Sequence, residues 1–219
     1  MLRGLYYAAS SMVTQITRQD IHAGNLANVD TTGFKRCLAD VSANPGQTVD
    51  TSQGAIRQTG SPLDVALSGP GYFVIQTPTG RAYTRNGHFS LDAAGRLVNG
   101  QGQAVLGEGG EIRLGPGTVE IQANGTIMQG GRRVDRLLIV DFAPNAALTR
   151  LGNGAINGAA APTPVASPSL TQGSLETSNV NAVIELGAMQ RGFRAYEANT
   201  NAIRAADQTL GRLIDSTTA

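Results

Sequence analysis

The chain has 219 residues, and its 17 Lys and Arg against 16 Asp and Glu leave a formal net charge of only +1 at pH 7. This balance supplies no general electrostatic attraction to nucleic acid or to an anionic membrane, so neither partner is expected. Glycine (28) and proline (9) are frequent, whereas aromatic residues make up 5% and tryptophan is absent. Such a composition is typical of turn-rich β structure and argues against a large enzyme core.

The N-terminal segment carries apolar or small residues at heptad spacing, which predicts a helix of about 27 residues from Leu2. The positions of this first stripe are Leu2, Leu5, Ala9, Met12, Ile16, Ala23 and Leu26, interrupted only by Gln19. The helix is expected to stop in Asn25–Arg36, NLANVDTTGFKR, where Asn28 and Gly33 tolerate left-handed backbone and Phe34 gives the turned chain an apolar anchor. A stripe this narrow needs a partner.

The C-terminal segment repeats the pattern over four heptads. Its stripe comprises Leu186, Met189, Phe193, Tyr196, Thr200, Ile203, Asp207, Leu210 and Ile214. We therefore expect the two terminal helices to pair in a coiled-coil-like arrangement.

Between the helices the apolar period changes to two, with short runs separated by Gly, Asn and Pro. The predicted strands are Tyr72–Thr77, Ala82–Arg85, His88–Leu91, Arg96–Val98, Ala104–Leu106, Glu111–Leu114, Val119–Gln122, Thr126–Gln129 and Val134–Phe142. Asn99-Gly100 and Asn124-Gly125 are strong hairpin signals. The Ala/Pro/Ser-rich stretch Asn157–Leu170 is expected to be an exposed connector.

The predicted fold is therefore α+β, mainly β, with paired terminal helices and an inserted antiparallel β domain. We expect an N-terminal helix and turn over 1–36, an extended connector over 37–66 and the β domain over 67–156. An Ala/Pro-rich linker and return strand would follow over 157–176, and the C-terminal helix over 177–219.

Three groups of motifs resemble the bacterial flagellar axial proteins of the rod and hook. MLRGLYYAASSM with NLANVDTTGFKR is similar to the family's N-terminal signature, although Gly24 stands where that motif has its first Asn. GSLETSNVNAVIEL and MQRGFRAYEANTNAIRAADQTL are similar to its C-terminal region, and LDVALSGPGYFVI and RAYTRNGHFSLDAAGRLVNGQGQAVLG to its β domain. The short chain and the segment GQAVLGEGGEIRLGPG resemble proximal-rod members more than distal-rod members.

The resemblance implies a non-catalytic subunit that polymerises through its terminal helices into the hollow rod of the flagellar basal body. Its expected partners are copies of itself, other rod proteins, the flagellar type III export apparatus and the rings around the rod. It also implies export to the periplasm without a cleaved signal peptide. The expected assembly interface comprises Leu2, Leu5, Met12, Ile16, Asn25, Leu26, Asn28, Gly33, Phe34, Glu176, Thr177, Asn179, Asn181, Leu186, Met189, Phe193, Tyr196, Ile203, Leu210 and Ile214.

Two other classes of function remain open at the level of sequence. A secreted cell-wall-acting enzyme would need a nucleophile or a close acid pair, and no stretch of the sequence suggests either. A soluble binding module would use the β domain and keep its terminal helices paired within one subunit. No metal or cofactor is expected, because neither His22 nor His88 has ligands at a metal-binding spacing, and Cys37, the single cysteine, is expected to be a packing residue.

The N terminus also lacks the apolar core of a secretory signal, and no run approaches the roughly 18 apolar residues of a membrane span. We therefore expect a soluble chain with an intact N terminus and no direct membrane insertion.

Overall fold

The computed structural model describes residues 2–38, 48–143, 146, 148–151, 154–158 and 160–218, with side chains omitted at 2, 3, 5 and 210–218. The chain divides into two compact units. The helical unit contains Met1–Ala27, Cys37–Gly46 and Asn181–Ala219, and the β unit contains Asn28–Arg36 and Gln47–Val180. The predicted α+β architecture with terminal helices is confirmed.

The helical unit pairs α1 (Leu2–Ala27) with α2 (Ala182–Thr218). Asn181 caps α2, because its Oδ1 accepts hydrogen bonds from the backbone N–H groups of Val183 (3.0 Å) and Ile184 (3.2 Å). The helix therefore begins at residue 182 and not at 177. Neither of these helices is both long and apolar enough, over the residues described, to cross a membrane.

The β unit consists of short strands joined by tight turns. They are β1 (Ile56–Gln58), β2 (Val65–Ser68), β3 (Tyr72–Thr77), β4 (Gly80–Thr84), β5 (Phe89–Leu91), β6 (Leu97–Asn99), β7 (Ala104–Gly107), β8 (Gly110–Glu111), β9 (Val119–Ile121), β10 (Thr126–Gln129), β11 (Arg132–Arg136), β12 (Ile139–Asp141), β13 (Leu148–Arg150), β14 (Ala155–Gly158), β15 (Thr163–Pro164), β16 (Ser169–Gln172) and β17 (Ser174–Glu176).

All strand pairs are antiparallel, as predicted. The main path of the largest sheet is β13-β14-β4-β3-β7-β6-β5, and β12 joins it through β3. A three-stranded sheet, β11-β10-β9, and the pairs β1-β17 and β16-β2 complete the unit. Its main core packs Phe73, Leu97, Val105 and Ile127, all essentially inaccessible to solvent.

Two local expectations are wrong. The predicted strand Val134–Phe142 is two strands, β11 and β12, separated at Leu137 and Leu138. The Ala/Pro-rich stretch is not simply an exposed connector, because it contains β15 and the start of β16, and Leu170 is buried in the main core. Pairing with β12 and β2 supplies hydrogen bonds that the local composition of the stretch does not reveal.

The observed units also differ from the expected boundaries. Strand structure begins at Ile56, inside the expected connector, because β1 pairs with the return strand β17. Residues Asn28–Arg36, which we call the exit turn, were grouped with the first helix in the sequence-based division, but they lie in the β unit. Several contacts that hold the exit turn are made to residues more than 100 positions away, such as the hydrogen bond from the Gly33 N–H to the Glu176 carbonyl, and local sequence cannot show them.

Candidate assembly surface

The two helices leave large apolar side chains exposed to solvent. On α1 these are Tyr6, Tyr7, Val13 and Ile16, and on α2 they are Val183, Ile184, Leu186, Phe193 and Tyr196. Phe193 is 59% exposed and Ile16 49%. We call these residues the outward apolar set. Large exposed apolar patches are a usual mark of interaction sites, which makes these residues candidates for one.

The residues of the predicted stripes differ in their exposure to solvent. Ile16, Leu186, Phe193 and Tyr196 are exposed, and Met12, Leu26, Met189 and Ile203 are half-buried. The side chains of Leu2, Leu5, Leu210 and Ile214 lie outside the described residues. The pairing face is therefore rotated away from the exposed part of the predicted stripes.

Several polar side chains bond across the face along which α1 contacts α2. Gln19 Nε2 donates to the backbone carbonyl of Met189 (3.1 Å), and Asn199 Nδ2 donates to Ser11 Oγ (3.1 Å). We call this face the polar seam and define it by Ser11, Gln15, Gln19, His22, Asn25, Glu185, Gly192 and Asn199. Gly192 is buried, and a Cβ there would come within 2.5 Å of Gln15 Nε2. The glycine thus gives the glutamine side chains room against α2.

The end of the polar seam contains a buried carboxylate. Glu185 is 0% exposed, and its Oε2 accepts a hydrogen bond from His22 Nδ1 (2.5 Å) and another from Asn25 Nδ2 (3.4 Å). Glu185 also lies in the first turn of α2, where the helix dipole favours negative charge. These hydrogen bonds are needed, because burying a carboxylate without partners costs free energy.

Asn25 connects this cluster to the chain that follows the exit turn. The side chain is fully buried, its Nδ2 donates to the Cys37 carbonyl (2.9 Å), and its Oδ1 accepts from the Cys37 N–H (2.8 Å). Asn25 thereby satisfies both backbone groups of Cys37 and fixes that residue beside α1. An alanine could make neither bond.

The exit turn requires glycine at position 33. Gly33 has φ +66°, and a Cβ there would lie 2.3 Å from the backbone nitrogen of Asn86. Phe34 follows as a buried anchor, and the Arg150 guanidinium lies 4.1 Å from the centroid of its ring. Such a cation–π contact adds about 0.5–2 kcal/mol.

A buried ion cluster, which we call the charge clasp, joins three segments of the β unit. Glu176 Oε1 lies 2.6 Å from Lys35 Nζ, and Glu176 Oε2 lies 3.2 Å from Arg85 Nη1. Glu176 also accepts a hydrogen bond from the Gly54 N–H (2.9 Å). Burial lowers the pKa of Lys35 below its usual value, and the ion pair with Glu176 offsets part of that effect.

The remaining polar residues of the motif ETSNVN, residues 176–181, form hydrogen bonds within the chain. Thr177 donates from its N–H and from Oγ1 to the Ala55 carbonyl, at 2.8 and 3.0 Å. Asn179 Oδ1 accepts from the Arg36 N–H (2.7 Å), and its Nδ2 donates to the carbonyl of Asp50 (3.0 Å). The polar side chains of this motif are thus explained by hydrogen bonds inside one subunit.

The expected interface residues therefore differ in how accessible they are. Asn25, Gly33, Phe34 and Glu176 are buried within the chain and are not available to a neighbour in this conformation. Ile16, Leu186, Phe193 and Tyr196 are exposed on the helices and belong to the outward apolar set. For the buried group we propose a positioning role within the subunit in place of direct contact between subunits.

Sequence reasoning missed His22, Lys35 and Arg85. Their partners lie 163, 141 and 91 positions away, so no local pattern connects them. The polar seam could have been recognised from sequence, because Gln15, Gln19 and His22 follow the spacing of a heptad. They form a second stripe on α1 beside the apolar one. In the part of the chain that the structure describes, no three His, Cys, Asp or Glu residues group as a metal site would require.

The fold defines the class of this protein, an α+β chain whose terminal helices flank an inserted antiparallel β unit. Residues 5–35 match the model of the flagella basal body rod protein family. Residues 66–129 match the D1 domain of the flagellar hook proteins FlgE/F/G, and residues 171–216 match the C-terminal region of the flagellar basal body rod FlgEFG proteins.

Full-length relatives give the same result. The chain is 33% identical to the flagellar basal-body rod protein FlgF of Rhizobium meliloti, covering 99% of this chain and 98% of the relative. It is 34% identical to FlgF of Mesorhizobium japonicum (93% and 92%) and 32% identical to FlgG of Bacillus subtilis (98% and 99%). The chain belongs to the flagellar basal-body rod protein family.

Proposed function

We propose that this chain is a structural subunit of the flagellar basal-body rod and that it polymerises through its terminal helices. The observation that carries the proposal is the outward apolar set, found on the same two helices that match the rod family models. Burying one large apolar side chain contributes about 1.5–3 kcal/mol. Contacts of this kind between identical subunits in a non-closing arrangement produce a helical filament.

Within the rod, the proposed position is that of the proximal rod protein FlgF. The alignment with FlgF of Rhizobium meliloti extends over 236 positions and the alignment with FlgG of Bacillus subtilis over 265, although each includes nearly the whole chain. The FlgF alignment therefore contains fewer gaps. The distal rod protein FlgG is the competing assignment.

The proposed location is the periplasmic part of the basal body, reached through the flagellar type III export apparatus without a cleaved signal peptide. Its proposed neighbours are further copies of itself, other rod proteins and, on the outside, the rings around the rod. No catalytic step is proposed, and purified peptidoglycan incubated with the chain should release no soluble fragments. Release of fragments would favour a cell-wall enzyme instead.

Substituting a charged residue into the outward apolar set tests whether the subunits assemble through this surface. Phe193→Asp should abolish rod assembly and swimming when the gene replaces the host's own copy, because a buried carboxylate would face the neighbouring subunit. Leu91→Asp is the matched control, since Leu91 is also exposed but lies on β5 of the β unit. We expect the control to swim. Normal swimming of the Phe193→Asp strain, with the variant found in its basal bodies, would refute assembly through this surface.

Complementation separates the two rod positions. The wild-type gene should restore swimming to a strain that lacks FlgF and should fail in a strain that lacks FlgG. The opposite pattern would assign the chain to the distal rod.

A further inference from the structure

We infer that the β unit holds its two connections to the helices together in a joint that forms before assembly, and that Asn179 is the residue that positions them. The first connection is the end of the exit turn, residues 33–36, and the second is residues 176–180. The inference rests on the proposed assembly function and adds a residue that prepares the free subunit for it.

The two connections are bonded directly to each other. The Gly33 N–H donates to the Glu176 carbonyl (2.8 Å), and the Asn179 N–H donates to the Phe34 carbonyl (3.4 Å). Asn179 adds a side-chain bond, because its Oδ1 accepts from the Arg36 N–H (2.7 Å). Arg36 and Asn179, which are 143 positions apart in sequence, thus belong to one cluster.

A third segment of the β unit, residues 50–52, binds both connections. The Asp50 N–H donates to the Arg36 carbonyl (2.8 Å). Asn179 Nδ2 donates to the carbonyl oxygens of Asp50 and Ser52, each 3.0 Å away. A single side chain therefore bonds the first connection and the third segment, while its own backbone belongs to the second connection.

The bonds of the joint need no residue of α1 or α2. Each bond described above joins residues of the β unit, which has its own apolar core. Among the described residues of α1 and α2, by contrast, no hydrophobic side chain is buried, so these helices gain little stability from their contact with each other. The joint should therefore stay formed while the helices of a free subunit are open.

A preformed joint reduces the entropy that the chain loses when the helices pair. Without it, the helices would lie at the two ends of a long flexible loop, and closing a loop costs more entropy as the loop lengthens. With it, Ala27 at the end of α1 and Ala182 at the start of α2 are each only a few residues from the joint. This tether raises the effective concentration of one helix near the other, so neighbouring subunits need to order only two short segments.

Amide hydrogen exchange of the free, purified full-length chain tests whether the joint precedes assembly. The backbone N–H groups of Gly33, Arg36 and Asn179 should exchange at least roughly tenfold more slowly than those in the middle of α1 and α2, because local opening sets the exchange rate. Joint amides that exchange as fast as the helix amides would overturn the inference, whether or not the chain assembles into a rod.

Asn179→Leu tests whether this side chain positions the connections. The variant keeps a side chain of similar size and removes the bonds to Arg36, Asp50 and Ser52. We expect exchange at the Arg36 N–H to become roughly tenfold faster and the amount of the chain in purified basal bodies to fall roughly tenfold. The urea midpoint of the β unit should stay close to that of the control, because none of these residues belongs to the main apolar core.

Asn157→Leu is the matched control, since Asn157 carries the same side chain but is exposed on β14. If the Asn179→Leu chain enters basal bodies as well as the control does, Asn179 has no positioning role. A strongly lowered urea midpoint would also overturn that role, because loss of assembly would then follow from loss of stability. A wild-type chain that is absent from basal bodies would refute the proposed function alone, since the exchange experiment uses unassembled subunits.

Discussion

At the scale of single residues, the β unit depends on a few buried polar groups that bond across long sequence separations. Glu176 holds two cations, and Lys35 and Arg85 are both buried with it. Arg85 Nη2 also donates to the Gly69 carbonyl (2.6 Å), so the clasp includes the segment that precedes β3. Each partner is needed because a buried ion pair is destabilising when one half is missing.

Glu176→Ala should therefore lower the free energy of unfolding of the β unit by about 3–5 kcal/mol, because it leaves Lys35 and Arg85 as uncompensated buried cations. Urea denaturation followed by tyrosine fluorescence measures this change. Glu120→Ala is the control, since Glu120 is exposed on β9. Equal losses in the two variants would mean that the clasp is not the main contribution of Glu176.

At the scale of elements, the exit turn decides how the chain leaves α1. Hydrogen bonds from the Thr31 N–H to the Asn28 carbonyl and from the Phe34 N–H to the Thr31 carbonyl, each 3.2 Å, form the turn. The Gly33 N–H donates to the Glu176 carbonyl (2.8 Å), which attaches the turn to β17. The turn is thus built from both local geometry and a distant strand.

Gly33→Ala should destabilise the β unit by more than Gly130→Ala, although both glycines have positive φ, +66° and +57°. At Gly130 a Cβ meets nothing within 4 Å, so only the left-handed backbone costs energy, about 1–2 kcal/mol. At Gly33 the Cβ also collides with the backbone at Arg85 and Asn86. Thermal unfolding of the two variants gives the comparison, and equal shifts of the midpoint would argue against a close approach at Gly33.

At the scale of the whole molecule, the two units differ in what stabilises them. The β unit has a continuous apolar core centred on β3 and its neighbours. The helical unit pairs through a polar seam and leaves its outward apolar set in water. Helices with little apolar burial gain little stability from tertiary contacts, so the helical unit should open first.

Trypsin should therefore cut the free subunit first in the helices, at the exposed Arg18, Arg191 and Arg194, and leave a stable core that includes β1 to β17. Exposed arginines of the β unit, such as Arg57 and Arg132, provide the internal comparison because the same protease can reach them. Mass spectrometry of the digest identifies the core. A full chain that resists digestion would instead indicate helices that are stable without neighbouring subunits.

Local sequence determined much of the architecture. Heptad spacing predicted both helices, and α1 was predicted almost to the residue, because a long amphipathic period has few alternative structures. Tyr72–Thr77 and Thr126–Gln129 were predicted with their observed bounds, since alternation and flanking turn residues mark them. The motifs at the two ends of the chain also indicated the family, which the full-length relatives confirm.

Only the tertiary structure decided which face of each helix pairs and which charges are buried. The apolar stripe of α1 was visible in the sequence, but the polar seam includes the contact of His22 with Glu185, which is 163 positions away. The charge clasp likewise joins Lys35 to Glu176, and β15 and β16 exist because distant strands supply their hydrogen bonds. Local periodicity records the propensity of a segment, whereas these contacts depend on partners that only the folded chain brings together.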